Sequence, residues 1–240
     1  MYTYVCECRL RGGFWWLLGP FIERLCFIAV LAIPQHSKVR PVLGAPSRPP
    51  PLNSNVKEEL VEKVEMCSAH CFSYSVVGAG GGAFMAKMDM EEAYKNVPCK
   101  IEELGFHVAE KFFIDTRQIL GATMAVCNFD NLGKTTLDLV LTKCVIPKFL
   151  IHRQLDDVLV VVPYEKLSWC EEFIRHYRGN CENLNFSLAQ HDPTLDKDFD
   201  VSQCGKVLGI KFDTTWLVWS YPEDKKKRTQ KLLDNFFLGK

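Results

Sequence analysis

Apolar positions along this chain recur in two rhythms, one near the helical repeat and one in short β-rich runs. The clearest helical stripe passes through Leu167, Cys170, Phe173, Ile174, Tyr177, Cys181 and Leu184. A second, through Ala125, Phe129, Leu137, Val140, Leu141 and Cys144, predicts a long helix within residues 121–145, interrupted or bent near Gly133. A third follows Asn55-x-x-Glu58, which resembles a capping box, and carries Val56, Leu60, Val64, Cys67 and Cys71.

Between these stripes lie strand candidates. Residues 83–87 form one that ends at Asp89. Residues 149–151 and 158–162 flank a short polar centre and read as a hairpin with Asp156 and Asp157 at its tip. Residues 207–212 and 216–219 make a further pair around Asp213-Thr214-Thr215. The proline-rich stretch 46–51 and the glycine run 78–82 read as loops, and no internal repeat is visible. Antiparallel hairpins argue against a doubly wound parallel sheet. They favour an α+β layer in which helices cover one sheet face.

Composition bounds this picture. With 240 residues, 48% of them apolar, the chain can bury the core of one large domain or two small lobes, which excludes disorder as its main state. Lys plus Arg equals Asp plus Glu, 29 each, so the basic excess usual in phosphate binders is absent. One basic run, Lys225-Lys226-Lys227-Arg228, reads as a helix face that is either solvated or in contact with phosphate. Eleven cysteines, an odd number without dense regular spacing, predict free thiols in an intracellular protein. Neither Cys6-x-Cys8 nor Cys67-x-x-x-Cys71 has a partner pair that closes a zinc tetrahedron. Residues 14–33 are apolar, but Glu23 and Arg24 lie within them and Gly19-Pro20 punctuates them, so core packing is expected and not a membrane span.

The carboxylates carry the chemistry. Ionised acids beside apolar strands are costly unless compensated, and adjacent acids repel. Alone, Asp156-Asp157 fits an exposed turn, and Asp89-x-x-Glu92 fits the N-cap of a helix over 91–96. Together, an Asp at a strand end and an Asp pair at a hairpin tip can meet on neighbouring strands. Hard cations such as Mg²⁺ take ligands of this kind. Two ions about 4 Å apart would activate a hydroxyl nucleophile and stabilise a pyrophosphate leaving group.

These residues resemble the motifs of reverse transcriptases. Met85-Ala-Lys-Met-Asp89-Met-Glu-Glu-Ala-Tyr94-Lys-Asn-Val-Pro98 is similar to the first palm motif, and His152-Arg-Gln154-Leu-Asp156-Asp157-Val-Leu-Val-Val to the paired-Asp motif, with Gln154 where many relatives carry an aromatic. Lys38-Val-Arg40-Pro-Val-Leu resembles the basic fingers strand. Gln118-Ile-Leu-Gly121-Ala-Thr-Met-Ala-Val-Cys-Asn-Phe129 resembles the motif supporting template and nucleotide, and Lys206-Val-Leu-Gly-Ile-Lys-Phe-Asp-Thr the strand leading to the primer grip. The segments follow family order, and their wording is most similar to DIRS-like retroelements with a tyrosine recombinase.

The resemblance implies an RNA-directed DNA polymerase core that joins a dNTP to a primer 3′-hydroxyl, with RNA template and DNA primer as partners and no membrane. It implies two Mg²⁺ ions, or Mn²⁺, on Asp89, Asp156 and Asp157. Lys38 and Arg40 would neutralise the triphosphate, Tyr94 would exclude a ribose 2′-hydroxyl, and Gly121 and Gln154 would line the substrate site. The expected fold is a polymerase right-hand palm with partial fingers and no thumb. Residues 1–34 would be an irregular segment leading into the fingers, 35–82 fingers, 83–221 palm, and 222–240 the start of a thumb or connection helix. RNase H and recombinase regions would belong to a parent polyprotein. The alternative is a truncated, non-catalytic relic that at most binds nucleic acid.

Overall fold

A computed structural model describes residues 26–35, 38–44, 61, 63–91, 93–98, 104–108, 111–114, 117–118, 122–189 and 199–238. The candidate capping box at Asn55 and Glu58, the stretch 46–51, Cys6, Cys8 and Gly121 lie outside them. In chain order the elements are β1 (Cys26–Gln35), β2 (Lys38–Gly44), α1 (Ala69–Ala79), β3 (Phe84–Asp89), β4 (Leu104–Val108), β5 (Lys111–Ile114), α2 (Thr123–Leu141), β6 (Ile151–Gln154), β7 (Asp157–Val162), α3 (Leu167–Asn183), β8 (Phe199–Ser202), β9 (Cys204–Val207), β10 (Ile210–Asp213), β11 (Val218–Ser220) and α4 (Glu223–Leu238). Single 3₁₀ turns occur at Ala93–Asn96, Lys148–Leu150 and Tyr164–Lys166.

The described residues fall into two compact units, one within 1–64 and 92–132, the other within 65–91 and 133–240. The first holds a four-stranded sheet in the order β2-β1-β4-β5. Its β1–β4 pairing is the one parallel ladder among the described strands; all others are antiparallel. Part of the apolar stretch 14–33 thus becomes sheet, and no described helix is long and apolar enough to cross a membrane.

The second unit is built on the sheet β6-β7-β3-β8. Val158 to Val162 of β7 are all buried, the signature of a strand covered on both faces. On one face Met85, Leu159 and Val161 pack with Phe72 and Val76 of α1 and with Val207 and Phe212 of the meander β9-β10-β11. Helix α3 packs against β3 and β7, and its buried Cys170, Phe173, Ile174 and Tyr177 match the predicted stripe. Helices on a single face were expected. The unbroken apolar run of β7 instead requires cover on both sides, each large side chain contributing roughly 1.5–3 kcal/mol on full burial. Thr214 donates its hydroxyl to the Ala83 carbonyl at 2.5 Å, and Gln203 Nε2 donates to the Gly82 carbonyl at 2.7 Å, tying the meander to the entry of β3.

Three boundaries differ from the sequence pattern for local reasons. Residues 63–68 are not helical: α1 starts at Ala69 because the Ser68 hydroxyl accepts the Cys71 N–H, and it continues through Gly78 to Gly80, whose φ of +90° ends it. Helix α2 runs unbroken for 19 residues through Gly133. The run 207–212 is two strands around Leu208-Gly209, whose φ values of +49° and +79° make a tight reverse turn.

Candidate active site

Strand β3 presents residues of one parity to each face. Its Met85, Lys87 and Asp89 lie opposite Val161, Leu159 and Asp157 of β7. The apolar members of this row enter the core, while Lys87, Asp89 and Asp157 occupy its end, half-buried. Asp89 is a strand residue and not a helix cap; its carbonyl accepts the Ala189 N–H at 2.8 Å, and the following 3₁₀ turn begins only at Ala93.

Strands β6 and β7 close as a hairpin in which Gln154 pairs with Asp157. Only Leu155 and Asp156 form the turn, so Asp157 is the first strand residue and not part of the tip. Leu155 has φ of +53°, a left-handed conformation that costs a branched aliphatic residue about 1–2 kcal/mol. Two contacts hold this turn: the Asp156 carbonyl accepts the Met90 N–H at 3.0 Å, and Arg153 Nη1 donates to the Leu155 carbonyl at 3.2 Å. Arg153 in turn lies across Gly133 of α2, where a Cβ would overlap Nη1. His152 bonds Ser75 Oγ at 2.7 Å and meets Phe72 edge-on, which anchors β6 to α1; burial lowers its imidazole pKa.

The electrostatics link all three acids. Burial pushes the Asp157 carboxyl up to about 6; the Lys87 ammonium pulls it back, and the Asp89 and Asp156 carboxylates raise it further. Lys87 Nζ stands 3.2 Å from Asp157 Oδ1, with side chains 12% and 21% exposed. Among the described residues no three His, Cys, Asp or Glu side chains converge as a ready metal-binding group. The donor chemistry nevertheless suits a hard divalent cation. The three acids offer only oxygen, they sit on two opposed strands and the turn adjoining one of them, and their mutual repulsion would be relieved by a cation.

The other predicted site residues are placed as follows. Gln154 ends β6 with its Oε1 buried and without a hydrogen-bond partner. Tyr94, in the first unit, lies on the turn Ala93–Asn96 with its ring 5.6 Å from that of Phe129. Lys38 and Arg40 stand in β2, opposite Gln35 and Ile33. Gly121 lies outside the described residues. Sequence reasoning gave Lys87, Arg153 and Gly133 no role at the site. A lysine inside an apolar strand, two residues before a site aspartate and therefore on its face, was the available signal for the first.

No protein-family model matches the chain, and no curated protein does. Solved structures do match. The foamy viral protease-reverse transcriptase dRH in complex with double-stranded DNA has a TM-score of 0.62 at 14% identity, over 85% of this chain and 32% of that one. The same viral enzyme with double-stranded DNA gives 0.61 at 16%, over 85% and 38%, and with an RNA/DNA hybrid 0.61 at 13%, over 85% and 24%. The chain thus spans between 24% and 38% of the length of these proteins. At such identities the likeness is one of architecture: this chain has a reverse-transcriptase-like fold.

Proposed function

We propose that the chain is the core of an RNA-directed DNA polymerase from a retroelement of the DIRS-like kind, extending a DNA primer on an RNA template with dNTPs. The observation that carries this is the opposition of Asp89 and Asp157 across β3 and β7, with Asp156 in the adjoining turn, within a reverse-transcriptase-like fold. On this reading residues 83–221 act as palm and 35–82 as fingers.

Asp89, Asp156 and Asp157 would hold two divalent ions, which when bound activate the primer 3′-hydroxyl and stabilise the leaving pyrophosphate. The remaining roles rest on the motifs. Lys38 and Arg40 neutralise triphosphate oxygens, Tyr94 blocks a ribose 2′-hydroxyl, and Gly121 and Gln154 contact template or nucleotide. Within the hairpin, Arg153 and the Met90 amide hold the turn so that Asp156 keeps one orientation.

Primer extension with Mg²⁺ or Mn²⁺, compared with Asp156→Asn, tests this. The expected result is incorporation by the parent chain and its loss in the variant; incorporation untouched by the substitution removes Asp156 from the reaction. A second reading, a non-catalytic relative that only binds nucleic acid, is favoured by the engagement of Asp157 with Lys87. Binding of a primer–template without incorporation under either metal would establish it.

A further inference from the structure

We propose that α4 is a surface-binding helix for an anionic lipid bilayer: its apolar end enters the membrane face while its basic end holds the headgroups. The role is independent of the polymerase reading.

Helix α4 is divided along its length. Residues 225–231 carry Lys225, Lys226, Lys227, Arg228 and Lys231 and no acid, whereas residues 232–237 carry Leu232, Leu233, Phe236 and Phe237 with Asp234 as their one charge. Every residue from 225 to 237 is exposed. Positions 232, 233, 236 and 237 share one helix face. There Phe236 and Phe237, 79% and 76% exposed, meet each other edge-on with ring centroids 5.4 Å apart. An apolar face of this kind left in water marks an interaction site.

The charge pattern selects the occupant. A nucleic-acid backbone would satisfy the basic half and leave four large apolar side chains in water. A protein groove reads anchors spread over two turns or more, and here they are confined to residues 232–237. A second copy is poorly matched in either direction: parallel pairing of α4 sets two basic runs together, and antiparallel pairing sets each basic run on the other's apolar end. An anionic bilayer offers both chemistries at adjacent depths, phosphate for the lysines and arginine, acyl chains for the leucines and phenylalanines. The Lys226–Glu223 pair at 2.6 Å is solvent-exposed, and such a pair is too weak to withhold the lysine from a headgroup. With 16 residues and a charged half, α4 suits the membrane surface and not a crossing.

The test is flotation of the full chain with vesicles of phosphatidylcholine alone and with about 30% phosphatidylserine added. The anionic vesicles alone should carry the parent chain, and less of it as salt rises. Replacing Lys225, Lys226 and Lys227 by Gln should weaken this binding roughly hundredfold. Phe236→Asn combined with Phe237→Asn should weaken it by about tenfold or more. Because these side chains are exposed, both variants should melt with the parent in the absence of vesicles. A lower melting temperature of the phenylalanine variant would show the face to be covered within the chain and overturns the proposal. So does an absence of binding to anionic vesicles, equal binding to neutral ones, or binding indifferent to either variant. Duplex DNA bound by a parent chain that ignores vesicles assigns the basic run to nucleic acid. A dimer in light scattering that the phenylalanine variant dissociates assigns the face to a second copy. Either of these outcomes also overturns the membrane role.

Discussion

Asp89 and Asp157 face each other directly across the β3–β7 ladder, so two acids share one cross-strand position where like charges destabilise the pair. The Lys87 ammonium beside Asp157 offsets part of that repulsion, yet burial still leaves the Asp157 carboxyl at about 6. A site of this kind is a liability for folding and an opening for a cation.

The first prediction concerns pH. Asp157 moves from 3.8 to about 6 on folding, so it favours the folded state most when protonated. Its contribution is complete below about 3.8 and is lost as pH rises through about 6, an effect on the order of 3 kcal/mol. Urea denaturation from pH 4 to pH 7 should therefore show the parent chain losing about that much relative to Asp157→Asn. Parallel stability profiles for the two would contradict the assignment.

Leu155 supplies the second. At φ of +53° a β-branched side chain is worse than an unbranched one, and asparagine is tolerated. Leu155→Ile, which keeps the volume, should cost about 1–2 kcal/mol in denaturant unfolding, more than Leu155→Asn, although the latter removes apolar surface. The reverse order would mean that packing, and not backbone conformation, governs the turn.

Gly133 and Arg153 give a third. Alanine in mid-helix ordinarily gains about 1 kcal/mol over glycine. Here its Cβ would displace the Arg153 guanidinium, and the bond to the Leu155 carbonyl would be lost with it. Gly133→Ala should leave global stability within about 1 kcal/mol, because the two effects oppose each other. Amide hydrogen exchange at Leu155 to Asp157 should quicken, and primer extension should fall. Unchanged exchange in the turn would show that Arg153 is not its brace.

The fourth concerns α4. Lys226 pairs with Glu223 at 2.6 Å and Lys225 lies against Gly209, while residues 225–237 are all exposed to solvent. If its basic run touches phosphate, replacing Lys225, Lys226 and Lys227 by Gln should weaken DNA binding and reduce the salt slope by about 1 for each phosphate no longer neutralised. Equal affinity and slope, measured by fluorescence anisotropy, would leave the run as a solvated face.

Much of the architecture was legible from periodicity. The α3 stripe, the strand ending at Asp89 and the β6–β7 hairpin all stand close to where the periodicity of apolar residues puts them, because a helical stripe marks one buried helix face and a short unbroken apolar run marks a strand covered on both. The ends of elements were less legible. Ser68 capping α1, Leu208-Gly209 reversing the chain and α2 passing through Gly133 depend on single backbone bonds or on a neighbour that fills the space of a missing side chain.

From sequence alone came the candidate acids, their spacing along the chain, and the strand end and hairpin that carry them, since these follow from local pattern. Their mutual placement did not. That Asp89 opposes Asp157, that Lys87 pairs with Asp157, and that Arg153 reaches across Gly133 to the turn all depend on strand register and helix packing. Such pairings join residues up to 70 positions apart in the chain, Lys87 and Asp157 among them, and no local propensity ranks one of them over another until burial on both sheet faces selects it.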